Sequence, residues 1–404
     1  MKHYLQKHAL KAVEIHNLRL AFEEVTGKDL NWFFNQWFLS TGHPSFEITH
    51  EYNSKNKLLI LNVTQKQDTI YTPIFKIPTD ITVWIEGDKI VFPIEITQRE
   101  ESFTFTLSEE PNAIQFANEY QVLGQFKHKK SNDEILAQLK NAKSYLNLSK
   151  SIKQMKQLDS NFTKKNSSKI GLLLADKLKD KHSDIRLKTL QLSDNLVGLN
   201  YDFSKQWLKM ASKDKQASVR AKALSTIISQ ENINEEQKSV IQKALQDSSY
   251  TVEAIALEFF LKSKDSIEYF NKYKDNPNTK ISMKIADYII KHNITDMENW
   301  FIYRMKHFDF VTTYHFTKLF AEYINNLAND LSEEKINESL NEIEKIAINS
   351  ELPFINKMVY SSLIAMKNCK GINARLDTIE AKETNLSLID FYKKERTKNN
   401  KNKE

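Results

Sequence analysis

Histidine and carboxylate side chains are the groups in this sequence that could bind a metal ion, so their spacing is the first test of its chemistry. His50 and Glu51 come closest to the His-Glu-x-x-His motif of zinc hydrolases, but residue 54 is a serine. The residues around them alternate between apolar and polar, which predicts a strand and excludes ligation across one helical turn. We therefore interpret His50 as a structural residue.

Two other groups of histidines also lack the spacing of a metal site. His3, His8 and His16 are separated by five and eight residues, which does not place all three on one face of a helix. His307 and His315 could lie near one helical face, but two turns would separate them by about 12 Å, too far for one ion. We predict that no residue of this chain binds a metal or a cofactor or acts in catalysis.

Motifs built on glycine or cysteine are missing as well. The seven glycines form no Gly-x-Ser-x-Gly elbow and no phosphate-binding loop. Cys369 is the single cysteine, which excludes an internal disulfide and a thiolate zinc cluster. Glu23 and Glu24 are adjacent on a predicted helix, where their side chains diverge by about 100°, so we interpret them as a solvated pair.

Two amphipathic helices are predicted in the first 43 residues. The second has an aromatic stripe at helical spacing, and a Thr26–Asp29 pair resembling a capping box precedes it. The stripe consists of Leu30, Phe33, Phe34, Trp37 and Phe38. Side chains of that bulk need a large partner surface, so we predict that residues 1–43 cannot form a core by themselves.

Three short motifs in this segment occur in a fixed order: Thr26-Gly27, the run WFFNQW from Trp32 to Trp37, and Gly42-His43-Pro44. Together they resemble the end of the catalytic domain in gluzincin zinc aminopeptidases, the alanyl aminopeptidase and leukotriene-hydrolase type. In that family the Gly-His-Pro turn leads from the last helix into a β-domain. We predict that His43 fixes this turn through a hydrogen bond to the backbone.

The resemblance implies a part of an enzyme without the active site. Family members carry their zinc motif upstream of this point, and neither it nor the family's Gly-x-Met-Glu-Asn strand occurs here. The parent enzyme removes N-terminal residues from peptides with one zinc ion and a Glu-activated water. This chain would form chamber wall and scaffold, would be inactive alone, and would have the missing catalytic domain or N-terminal portion as its partner.

A β-sandwich is predicted over residues 44–125, which the resemblance also implies. Seven short apolar runs occur there, in the segments 46–48, 58–63, 74–77, 81–85, 90–96, 103–107 and 114–116. Their spacing is typical of a small antiparallel sandwich. Glu86-Gly87 predicts a tight hairpin turn between two of them.

Residues 126–392 are predicted to be helical, and their central part repeats. Asp180, Asp214 and Asp247 each precede an Ile or Val by five residues and a Leu by ten, at spacings of 34 and 33 residues. The pattern resembles the second helix of HEAT repeats and predicts an α-solenoid. The alternative function is therefore a standalone HEAT-like protein-interaction module. The predicted fold class is mixed, mainly α.

The net charge of +6 is concentrated at the C-terminus. Residues 393–404 hold six basic and two acidic side chains, which predicts a basic disordered tail. A folded basic surface is not indicated, so we predict no nucleic-acid partner. No apolar run reaches the length of a membrane span.

Overall fold

A computed structural model describes residues 1–117, 121–348 and 352–401. These ranges contain 20 α-helices and seven strands, which confirms the predicted mixed, mainly α fold. The chain divides into two compact units, Met1–Gln206 and Trp207–Glu404. The predicted four-domain division therefore stays a prediction, while the sandwich lies entirely within the first unit.

The N-terminal segment consists of three helices and one π-helical turn: α1 Lys2–Lys7, α2 Ile15–Thr26, α3 Asn31–Phe34 and the π-helical turn Asn35–Leu39. Helix α2 ends at Gly27, whose φ of +66° is the left-handed C-cap conformation that glycine adopts without strain. The predicted capping role of Thr26 is wrong, because its hydroxyl donates to the Phe22 carbonyl at 2.8 Å. The Asp29 carboxylate instead accepts the Asn31 N–H at 2.8 Å.

Seven strands form two sheets in the sandwich: β1 Ser45–Asn53, β2 Leu58–Gln65, β3 Ile77–Ile85, β4 Asp88–Ile96, β5 Glu100–Thr106, β6 Ala113–Phe116 and β7 Gln125–His128. One sheet has the order β5-β2-β1-β7 and the other the order β4-β3-β6. All pairs are antiparallel except β1 with β7, which is parallel. Inward side chains of both sheets meet in one apolar core.

Two details of the sandwich test the sequence interpretation. The predicted hairpin is present, and its central residues Glu86 and Gly87 both have positive φ, as in the turns that suit twisted strands. The predicted strand over 74–76 is wrong. There the buried Gln65 side chain takes the place of a neighbouring strand, accepting from the Phe75 N–H at 3.0 Å and donating to its carbonyl at 2.8 Å.

Helices follow the sandwich in the first unit: α4 Asn132–Asn141, α5 Tyr145–Gln154, α6 Ser160–Lys165, α7 Ser167–Lys177 and α8 Ser183–Asn195. Helix α9, Ser204–Lys213, crosses the division between the two units. Helix α4 starts with a complete capping box, in which Ser131 and Glu134 bond each other's backbone N–H. That cap fixes the direction in which the chain leaves β7.

The remaining helices belong to the second unit: α10 Ala217–Ile228, α11 Glu235–Ala244, α12 Tyr250–Phe260, α13 Ser266–Tyr273, α14 Thr279–Lys291, α15 Glu298–His307, α16 Phe310–Asn326, α17 Glu333–Ile348, α18 Pro353–Ala365, α19 Ile372–Lys382 and α20 Leu386–Lys401. From α10 to α20, each even-numbered helix packs against the following even-numbered helix. This alternate packing is typical of stacked helical pairs.

The repeated residues occupy equivalent places in three helices. The Ile or Val and the Leu of each repeat are fully buried in α8, α10 and α12. The repeated aspartates, Asp180, Asp214 and Asp247, each accept the backbone N–H two residues ahead, which starts the helix. Thr189, Ala223 and Ala256 are also fully buried, so a small side chain at that position lets neighbouring elements approach closely.

The predicted disordered tail covers residues 393–404; α20 continues through it as far as Lys401, and residues 402–404 lie outside the described ranges. Arg396 donates from Nε to Glu380 at 2.8 Å and also bonds Asp377, which holds α20 against α19. Tyr392 stacks on Tyr360 with ring centroids 4.1 Å apart. No helix in the described ranges is long and apolar enough to cross a membrane.

Candidate functional site

An aromatic cleft of about 370 Å³ lies where the N-terminal helices meet the sandwich. We call it the aromatic cleft and define it by these lining residues: Trp32, Phe33, Trp37, Phe38, Lys76, Ile77, Pro78, Gln121, Val122 and Leu123. It lies wholly within the first unit. Among these side chains only Lys76 is ionisable, and most of the others are apolar, a lining typical of a binding surface.

One wall of the cleft is anchored on the sandwich. The Trp37 ring lies 5.0 Å from the Phe75 ring and packs against the sandwich core. The Gln36 side chain accepts the Lys76 N–H at 2.6 Å and donates to the Lys76 carbonyl at 3.1 Å. These contacts hold the π-helical turn on the sheet and keep the aromatic wall in place.

The other side of the aromatic cleft is exposed to solvent. Phe33 is 36% exposed, Phe38 49% and Leu123 72%. Nine of the 24 exposed large apolar side chains of the described chain lie in its first 39 residues, whereas Ala21 and Phe34 are the buried ones there. As predicted, this segment has almost no core of its own, and it exposes more large apolar side chains than its share of the chain.

The rim of the cleft carries one positive charge. The Lys76 ammonium lies 5.3 Å from the centre of the Trp32 ring, a cation–π geometry. The same ammonium is 3.3 Å from a Glu95 carboxylate oxygen. The rim of the cleft therefore holds a Lys–Glu pair next to its aromatic wall.

The acidic pair on α2 supports this segment. Glu23 accepts from Arg19 at 2.9 Å and from the Leu30 N–H at 2.9 Å, so it ties α2 to the start of α3. It is therefore structural and only 19% exposed, unlike the solvated residue we predicted. Glu24 is 44% exposed and bonds His3 and Lys7, which holds α1 against α2.

His43 does not have the predicted role. It is exposed and makes no hydrogen bond to the parts of the chain that the structure describes. The Thr41 hydroxyl instead donates to the Tyr71 carbonyl, and the Gln125 N–H donates to the Pro44 carbonyl at 3.0 Å. Gly42 has a φ of +78° and lies against Thr72, where a side chain would not fit. The turn is therefore held by its neighbours.

The other candidate metal ligands, His50, His307 and His315, lie on separate elements. His307 ends α15, and His315 lies on α16 after a break at Phe308, so they do not share a helix as their spacing allowed. Both ring nitrogens of His50 are engaged, Nε2 with Glu134 at 2.7 Å and Nδ1 with His128 at 2.9 Å. No three His, Cys, Asp or Glu side chains converge on a metal position within the described ranges.

The sequence interpretation missed the surroundings of His50. His128, Lys130 and Glu134 gather beside it, yet they are more than 75 residues away in the chain. The contact depends on the parallel pairing of β7 with β1, which places Ile48 opposite His128. The only sequence signal was the Ser131-x-x-Glu134 capping pattern, which marks the start of α4 but not its neighbours.

Comparison with known proteins identifies the fold. No family model matches the sequence, and no curated protein matches it. Among solved structures, the chain is similar to aminopeptidase A of Legionella pneumophila, crystallised with aspartic acid, with a TM-score of 0.51 and 16% identity. The match covers 98% of this chain and 53% of that one, so this chain spans about half the neighbour's length. At this identity the similarity shows that the two share a fold.

Proposed function

We propose that this chain is the non-catalytic scaffold of a zinc aminopeptidase and that its aromatic cleft packs against the catalytic domain. The parent enzyme would remove N-terminal residues from peptides. The β-sandwich and the HEAT-like helices would form walls of the chamber around the reaction. The zinc would be held by the partner, because the described His, Cys, Asp and Glu residues here do not fit a zinc site.

The observation that carries this proposal is the exposed apolar surface of the first 39 residues. Phe33 and Phe38 lie at the open side of the cleft, and the segment has almost no buried apolar side chain. The structural neighbour contains nearly as much chain again beyond the part that this chain matches. A domain equivalent to that remaining part is the partner whose size suits the surface.

A binding experiment tests the proposal. The probe is a polypeptide with a His-Glu-x-x-His motif that the same genome encodes next to this chain, produced separately and titrated with it. We expect a stable complex, and we expect Phe38→Asp to weaken it at least about ten-fold, since a charge would be buried in the apolar contact. Leu172→Asp, on an exposed helical residue outside the cleft, is the matched control.

Two outcomes would contradict the scaffold function. One is an equal affinity of the wild-type chain and Phe38→Asp for the probe, with both folded by circular dichroism. The other is a genome without any coding region for a His-Glu-x-x-His polypeptide that lacks its own sandwich and helical domains. The second outcome would favour the alternative of a standalone solenoid that binds another protein.

A further inference from the structure

A cluster of polar side chains lies between the sandwich and the first helix after it. We call it the polar cluster: His50 on β1, His128 on β7, Lys130 just beyond β7, and Glu134 and Gln138 on α4. Glu134 is 2.7 Å from Nε2 of His50, and Nδ1 of His50 is 2.9 Å from Nε2 of His128. The two imidazole rings meet edge to face, with centroids 5.0 Å apart. The cluster shares no residue with the aromatic cleft, and the inference drawn from it does not depend on the proposed function.

Lys130 brings a positive charge into this cluster without a direct counter-ion. Its ammonium donates to the side-chain carbonyl of Gln138, a neutral group. No carboxylate among the described residues lies within 4.0 Å of it, although Glu134 is close enough to act through space. Burial lowers the pKa of Lys130 to about 8, and the attraction of Glu134 opposes that change only in part.

Two further polar atoms of the cluster have no partner. Gln138 is 1% exposed, and its Nε2 makes no hydrogen bond. Its orientation follows from chemistry, because an ammonium can only donate and so must face the carbonyl oxygen of the amide. Nδ1 of His128 is also buried and without a partner. Buried polar atoms are almost always hydrogen-bonded, so these two indicate a group that completes them.

We propose that Lys130, Gln138 and His128 form a binding site for a small monovalent anion, of the size of chloride or formate. All three can present N–H donors, and together they carry one uncompensated positive charge. One negative charge balances that ammonium, whereas a doubly charged phosphate or sulfate would be repelled by the nearby Glu134 carboxylate.

The proton positions in the cluster are consistent with this ligand. When His128 donates from Nδ1, its Nε2 must accept from the Nδ1–H of His50. His50 then donates from Nε2 to the Glu134 carboxylate, so each ring nitrogen of His50 has one partner. No proton is gained or lost by His128 itself, which stays neutral as its buried position requires.

Competitive acetylation of lysines tests the site on the full wild-type chain. Acetic anhydride reacts only with the neutral amine, and labelling is read by mass spectrometry at pH 8. We expect 100 mM chloride or formate to slow the acetylation of Lys130 about five-fold relative to methanesulfonate at equal ionic strength. The reason is that a bound anion that favours the ammonium about ten-fold lowers the neutral fraction of Lys130 from about a half to about a tenth. Lys127, whose side chain is 85% exposed, is the internal control.

Variants separate anion binding from a general salt effect. In Lys130→Met, chloride should no longer raise the melting temperature above that in methanesulfonate, whereas Lys127→Met should keep the wild-type response. If Lys130→Met does not fold, the labelling of the wild-type chain still decides. Equal labelling of Lys130 in chloride, formate and methanesulfonate would overturn the proposal, as would an equal anion effect on Lys127. An effect of one small anion only would support the site and identify its ligand.

Discussion

At the scale of single residues, the junction between the sandwich and α4 is the chemically unusual part of this molecule. It joins two imidazoles and a carboxylate through contacts of 2.7 and 2.9 Å and holds the Lys130 ammonium on Gln138 beside them, whereas most charged residues of the described chain lie at the surface. Burial first, and then the charges of Lys130 and His50, hold the pKa of His128 well below its usual value. The fold therefore requires His128 to be neutral.

A pH dependence of local stability follows from His128. Its folded pKa is lowered, so the unfolded chain binds the additional proton, and stability present above about pH 6.5 is lost as the pH falls. We expect β7 and α4 to lose up to about 1.4 kcal/mol of opening free energy per pH unit below that value. Hydrogen exchange of these segments, corrected for intrinsic rates, measures this loss.

His128→Asn should flatten this dependence, while His43→Asn removes an exposed histidine and should leave it unchanged. A profile for His128→Asn that follows the wild type through pH 5–7 would show that another group controls the junction.

At the scale of elements, one ion pair links two consecutive repeats in the second unit. Arg220 on α10 donates from Nε and Nη2 to both carboxylate oxygens of Asp247, each at 2.7 Å. Its Nη1 donates to the Asp214 carbonyl at 2.8 Å, so one guanidinium joins the start of its own helix to the start of α12. The Arg and Asp side chains are 12% and 13% exposed, which limits screening by solvent.

A double-mutant cycle measures this link. We expect Arg220→Met and Asp247→Asn to be coupled by about 1–3 kcal/mol in the unfolding free energy of the full chain, because each single change leaves a largely buried partner unpaired. The surface pair Glu235 and Lys238, at 88% and 52% exposure, should show a coupling near zero. Similar coupling energies for the two pairs would mean that the Arg220–Asp247 contact is not a connecting element.

At the scale of the whole molecule, the chain shares its fold with about half of the Legionella aminopeptidase A chain, and nine of its 24 exposed large apolar side chains in the described ranges lie in the first 39 residues. The cleft residues are aromatic and aliphatic apart from Gln121 and Lys76, and Lys76 is the one ionisable side chain among the described lining residues. Such a surface is suited to contact with an apolar group, in line with the proposed scaffold function.

The purified chain should therefore have no aminopeptidase activity by itself. We expect no turnover of alanyl-anilide substrates above the rate without protein, and less than about 0.1 equivalent of zinc by elemental analysis after gel filtration, because no described donors converge on a metal position. Zinc-dependent cleavage that is abolished by a chelator would contradict the scaffold function. A commercial zinc aminopeptidase assayed in the same buffer is the positive control.

The sequence alone determined those features that depend on neighbours within a few turns or strands. Helical periodicity and the spacing of Asp180, Asp214 and Asp247 identified the repeats, and alternation identified six of the seven strands. These patterns predict helices and strands because each element buries one face. The spacing of the apolar residues on that face depends only on the element itself.

Only the tertiary structure decided the contacts between distant segments. The side chain of Gln65 replaces a strand beside Phe75, and the parallel pairing of β7 with β1 brings His128 to His50, 78 residues away. Arg396 holds α20 against α19, in a segment whose composition had indicated disorder. Periodicity reports that a face is buried, but the group that covers it depends on chain topology, which no local pattern contains.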